Sequence, residues 1–477
     1  MNNRLIAGAI TIVAALGGAA AIVFWLAEGP GVALVESVPG MDGRAAALSN
    51  APAVKIGEFF AAFDGVAATN ILGSWPRFRG ANFDNICADG VKLADKWPEG
   101  GPRILWSVEL GEGHAAPAVA NGRVYLLDYD EKKKQDALRC FSLGDGREIW
   151  RRSYTVRLKR NHGMSRTIPA VSDGHVVTIG PNCHVMCVKA DTGDFAWGID
   201  LVREYGTKVP GWYTGQCPLI DNGLAIIAPA GTNVLMMAVE CATGKIVWQT
   251  PNARGWLMSH SSIMPWSFGG RKMYVYAASG GIAGIAADGP DAGAVLWETT
   301  AFSHNVVAPA PVCLPDGRVF MTAGYGAGSM MLKVMHGNGA YTVETLQTLK
   351  PNEGLACEQQ TPLYFEGCLF GILPKDAGPR RNELVCCSPD DCSTFVWTSS
   401  KEHRFGLGPF MIADGKFLIL NDNGELTMAR ATTNAYIKLA SAKIMDGKDA
   451  WGPFALVDGR LLMRDDKHMV CLDLRTP

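Results

Sequence analysis

The chain has 477 residues, 48% of them hydrophobic and 55 of them glycine, with a formal charge of -2. That composition is globular, and the near-neutral balance leaves no broad basic field to attract nucleic acid. Thirteen cysteines with no CxxC pair and no CxxCH haem-attachment motif argue against a cysteine zinc site or attached haem.

The amino terminus opens with Arg4 and then runs from Leu5 to Ala27 without a charge. About 20 apolar residues cross a bilayer, and the base ahead of the run puts it on the cytoplasmic side. Residues 1–27 therefore predict an uncleaved signal anchor, with the rest of the chain in the periplasm, anchored to the inner membrane. Residues 28–74, rich in Ala, Gly, Pro and Val, read as a linker. Within it Val54 to Ala68 predicts a short amphipathic helix presenting Phe59, Phe60 and Phe63 on one face.

Beyond residue 75 one landmark recurs. Gly122, Gly174, Gly223, Gly270, Gly317, Gly367, Gly415 and Gly459 each sit between two β-rich runs, mostly as Asn-Gly or Asp-Gly, at intervals of 44 to 52 residues. Such pairs supply the positive φ that two-residue hairpin turns demand. A second landmark, Gly-x-x-x-Trp, follows in four copies ending at Trp150, Trp197, Trp248 and Trp297, and Trp397 holds the same place in the sixth unit. Eight four-stranded units of this length predict an all-β, eight-bladed propeller over residues 75–477, a design that removes long sheet edges. The eighth unit offers three strands before the chain ends. Ile104-Leu105-Trp106-Ser107-Val108, a strand with no blade before it, is the expected fourth and would close the ring.

The segments DTGDFAW (Asp191 to Trp197) and ATGKIVW (Ala242 to Trp248) resemble the pyrroloquinoline-quinone (PQQ) repeat propellers of the quinoprotein alcohol dehydrogenase-like superfamily. WPRFRG (Trp75 to Gly80), KWPEGGPRILW (Lys96 to Trp106) and the stretch from Asn305 to Val334 are similar to its PQQ-like, BamB-like subgroup. The resemblance implies that Trp106, Trp150, Trp197, Trp248, Trp297 and Trp397 are structural docking residues between blades. It also implies two functions: a binding or scaffold module in cell-envelope protein assembly, or a dehydrogenase of alcohols or sugars that holds PQQ with Ca²⁺. No residue matches that group's catalytic Asp or Ca²⁺ ligands, so the expectation is a monomeric scaffold without cofactor or metal, working with an envelope or membrane protein.

Outside the repeated landmarks, five histidines (His114, His162, His260, His304, His403) precede the first strands of their blades. Trp212, Tyr213, Gln216, Trp256, Glu358, Gln359 and Trp451 hold comparable places. A propeller gathers these segments round one mouth of its channel, and convergent polar and aromatic groups at a concave mouth suit a ligand. The alternative is that they satisfy loop backbone and plug the channel. Cys387 and Cys392 flank a turn and could form a disulfide if their Cβ atoms align. Gly324 to Gly328 precedes no helix and is no phosphate loop.

Overall fold

The computed structural model describes residues 3–27 and 53–475. Asn3–Ala27 is an α-helix of 25 residues, with side chains described over 12–24. Among the described residues no helix is long and apolar enough to cross a membrane, so the expected transmembrane helix is not found. The expected tether over 28–52 lies outside the described residues.

Residues 53–475 form eight sheets, each built on a four-stranded antiparallel blade and two of them extended by a fifth strand. The hairpin glycines behave as their turns require. Asn121, Asp173, Asn222, Glu366, Asp414 and Asp458, with the glycine after each, have positive φ, as do Gly269 and Gly270. The fifth turn departs: there Gly317 is left-handed but Asp316 is not.

Blade position explains the hydrophobic pattern. Second and third strands are sandwiched between neighbouring blades and bury both faces, so Lys416–Leu420 and His175–Ile179 are buried at every residue. Fourth strands lie at the rim and alternate, as in Ala340–Leu349. The ring closes as expected: Arg103–Glu109 pairs antiparallel with His468–Asp473, the last strand of the eighth blade.

Four of the docking tryptophans lie across the glycine of the next blade's Gly-x-x-x-Trp. A Cβ at Gly146, Gly193, Gly244 or Gly293 would stand 2.7 to 2.9 Å from the ring of Trp106, Trp150, Trp197 or Trp248 respectively. The motif thus joins a socket for the preceding blade to a wedge for the following one. Trp106, Trp197 and Trp397 also donate their Nε1 protons to the next blade, to the carbonyls of Leu143, Cys241 and Thr432. Trp297 differs. It is buried between the fourth and fifth blades but donates to Met273 Sδ within its own blade, and Trp266 makes the bond to Leu314 O of the fifth blade instead.

Two expectations are corrected. Val54 to Ala68 is not a helix: Phe59–Ala62 is a strand added to the outer edge of the first blade, Phe59 opposite Ser153 and Ala62 opposite Trp150. The open edge of Glu148–Thr155 offers it a ladder of hydrogen bonds, and the rings of Phe60 and Phe63 lie against the guanidinium groups of Arg152 and Arg151. The cysteines are all free, so Cys387 and Cys392 are not bridged; Cys392 Sγ donates to Ser388 O at 3.7 Å.

Candidate functional site

A segment crossing the ring determines what the channel can hold. Trp75 exchanges two backbone hydrogen bonds with Val119 in the first blade, and Pro76 O accepts from Val171 N in the second. Arg77 donates to Ile220 O in the third. Arg79 then spans to the sixth, donating to Thr361 O and Pro362 O while its other protons go to Phe83 O and Asp84 O. Ile86–Cys87 finally runs parallel to Ile412 and Ala413 in the seventh. Arg79, Phe83 and Asn85 all adopt left-handed φ values near 60°, which lets the crossing turn tightly. Among the described residues no carboxylate is bonded to the buried Arg79 guanidinium. Burial pulls it down to about 10, with Asp84 acting in the opposite sense.

This plug makes the channel a cup of about 370 Å³. Phe78, Arg79 and Asn85 form one wall, and every blade adds to the rest from the loop before its first strand: His114, His162, Trp212, His260, Val306, Glu358, Leu407 and Trp451 in order. Seven residues expected at the mouth line the cup, namely His114, His162, Trp212, His260, Glu358, Gln359 and Trp451.

The other five serve the frame. Gln216 is buried, with its amide exchanging bonds with both backbone groups of Ala228 and reaching Tyr276 Oη. Trp256 is buried over Gly280 and Gly281, its backbone clamped by Asn252. Tyr213 Oη donates to Lys159 O and accepts from Lys159 N. His304 packs edge-on to Phe302, and His403 lies beside Tyr436. None of these five rings or amides lines the cup.

Among the lining residues that were not foreseen are Arg166, Tyr325 and Lys375. Arg166 donates to Trp212 O, Asn161 O and His162 O, and burial lowers it to about 10. Tyr325 stacks on Trp212, with ring centroids 5.6 Å apart and planes at 14°. Lys375 pairs with Glu358 at 3.1 Å and lies 5.2 Å from the Tyr325 ring centre. Tyr325 and Lys375 come from loops between second and third strands. The first of these is the Gly-rich stretch Gly324 to Gly328, where the left-handed Tyr325 was a signal hidden among glycines.

The electrostatics follow from burial. Desolvation, reinforced by the positive charge of Arg166, pushes His260 down to about 4 and His114 to about 3, with Arg464 adding to the effect on His114. Both rings are neutral at pH 7. His114 lies 5.0 Å from Trp451, ring centre to ring centre, and its Nε2 is 3.0 Å from His162 O. The charges within reach of the space are Arg166, the Glu358–Lys375 pair and Arg79 in the plug wall, whose guanidinium is already engaged by four carbonyls.

A quinone with Ca²⁺ would ask for several oxygen ligands, carboxylates prominent among them. The cup supplies one carboxylate, Glu358, already paired with Lys375. Among the described residues no three His, Cys, Asp or Glu are grouped to hold a metal. The adjacent Cys386 and Cys387 are buried in the sixth blade, outside the lining. This donor set does not fit a Ca²⁺–quinone pair.

Comparison with known proteins agrees on the frame. The family model described as outer membrane protein assembly factor BamB matches residues 133–349. The chain is similar to the BamB-like PQQ-repeat propellers. BamB from Moraxella catarrhalis superposes with a TM-score of 0.50 at 12% identity, covering 78% of this chain and 97% of that one. A europium-containing methanol dehydrogenase gives 0.56 at 12%, covering 84% and 89%. At such identities the likeness to BamB and to the dehydrogenase is one of fold. Among curated proteins, none matches the chain in sequence.

Proposed function

We propose that the protein is a membrane-tethered, extracytoplasmic propeller that serves as a binding or scaffold module in cell-envelope protein assembly. The observation that carries the reading is the division of labour in the ring. The repeated Gly and Trp residues hold blades together, while the non-repeated residues of all eight blades converge on one plugged cup. The similarity to BamB, named as an assembly factor, supports a protein partner. The uncharged run from Leu5 to Ala27 behind Arg4 supports the tether.

The test is affinity purification of the full-length chain from envelope membranes, with mass spectrometry of what accompanies it. A stable envelope protein without quinone is the expected result. Dye-linked oxidation of alcohols or sugars that saturates with added PQQ and Ca²⁺ would overturn the scaffold reading in favour of a quinone-dependent dehydrogenase. Intact mass of the extracted protein tests the tether, which a mature chain beginning near residue 28 would sink.

A further inference from the structure

Glu358 is a buried acid with half its carboxylate unused. Its side chain is 2% exposed, Oε1 faces Lys375 Nζ at 3.1 Å, and Oε2 has no hydrogen-bond partner. A buried carboxylate oxygen without a donor is costly, so the position asks for one more donor. The acid is also built in: Gly324 packs against it so closely that a Cβ there would stand 2.4 Å from Glu358 Cγ. Its counter-charge is loosely held, for the Lys375 side chain is 61% exposed.

Arg166 is the complementary case. Nε and Nη2 are fixed by three backbone carbonyls, which orient the guanidinium without neutralising it. Nη1 makes no bond to the described residues, and the side chain lines the cup. Guanidinium groups held this way suit carboxylates. Tyr325 is within the electrostatic reach of Glu358, Lys375 and Arg166 together, and its ring stacked on Trp212 gives the same space an apolar wall.

We propose that the cup binds a small zwitterion, an amino acid or short peptide with free termini, its carboxylate on Arg166 and its ammonium on Glu358. The incoming ammonium takes the place of Lys375, which swings into solvent. The neutral rings of His114 and His260 leave the charge pattern of the cup to these groups and to Arg79, whose nitrogens are all taken up by carbonyls of the plug and the sixth blade. The inference concerns the same cup as the scaffold reading and rests on that cup being a binding site.

Calorimetric titration of the detergent-solubilised full-length protein tests it, with glycyl-phenylalanine, free phenylalanine, and the N-acetyl and C-amide forms of the dipeptide as probes. Binding of one or both free zwitterions is expected, and their ratio tells peptide from amino acid. Each blocked form should bind about tenfold more weakly, the loss typical of one charge-assisted hydrogen bond. Lys375→Ala, at an exposed position, should tighten the free dipeptide several-fold by removing a competitor. Glu358→Gln should abolish the difference between free and N-acetylated forms. No binding by either zwitterion, equal binding of blocked forms, or weaker binding to Lys375→Ala would overturn the proposal. Repeating the partner purification with Glu358→Gln separates the two readings. Dipeptide failure with the partner retained overturns this inference alone, and dipeptide binding without any partner overturns the scaffold alone.

Discussion

Trp106 lies across Gly146, its indole Nε1 donating to Leu143 O at 3.0 Å while the glycine leaves room for the ring. The two residues belong to the closing strand of the eighth blade and to the first blade, so the contact is the seam of the ring. Trp106→Ala should lower the unfolding free energy by about 3–5 kcal/mol, the usual result of emptying a buried aromatic site. Gly146→Ala should also destabilise, because φ is 73° and the new Cβ meets the indole. Urea denaturation checks both, and wild-type midpoints would show that the seam carries no load.

The histidines of the cup make stability depend on pH. Unfolded, their rings titrate near 6.5; folded, burial and Arg166 hold His260 at about 4 and His114 at about 3. The unfolded chain therefore binds more protons. The contribution is complete above pH 6.5 and is lost as pH falls through 4 and 3. Each ring sets an upper bound on the order of 3–5 kcal/mol, reduced by solvent screening. Urea midpoints should fall between pH 7 and pH 4, and His260→Gln should flatten the fall; an unchanged slope in that variant would refute the assignment.

Asp136 acts in the opposite sense. It is buried, accepts from Tyr154 Oη at 2.8 Å and packs with it against Gly180 of the second blade. Burial pushes its carboxyl up to about 7. Because the folded value lies above the unfolded one near 3.8, its favourable contribution is complete below pH 3.8 and disappears as pH rises through 7. Asp136→Asn keeps an acceptor for Tyr154 and removes the charge. It should be more stable than wild type at pH 8, on the order of 2–4 kcal/mol, with the advantage shrinking as pH falls and gone by about pH 3.5. Paired denaturation curves at the two pH values decide it.

What could be read in the sequence was what local chemistry dictates. The hairpin glycines and the docking tryptophans recur because every blade needs the same turn and wedge, and Trp106 stood out as a strand without a blade. The approach to the mouth was legible as well, since loops before first strands must gather there. Which side chains face inward was not, because Gln216 and Trp256 occupy the same repeat place as Trp212 and His260 but are drawn off by Ala228 and Asn252. Arg166, Tyr325 and Lys375 acquire their roles from contacts remote in sequence. Phe59, Phe60 and Phe63 suit a helix face, yet the open edge of the first blade was available to pair with them.

Arg79 ties the plug to the far side of the ring. Its three guanidinium nitrogens serve four carbonyls, two within the plug and two in the loop entering the sixth blade. Arg79→Ala strands those carbonyls in a buried place, where each unsatisfied group costs about 1–3 kcal/mol unless water enters. Arg79→Lys keeps the charge but cannot reach four acceptors from one ammonium group. Both variants should destabilise, the alanine more, and both should free residues 75–87 from the channel. Limited proteolysis read by mass spectrometry then finds new cleavage within that segment ahead of global unfolding. A wild-type cleavage pattern in Arg79→Ala would mean that the bonds of Trp75 and Ile86–Cys87 hold the plug without it.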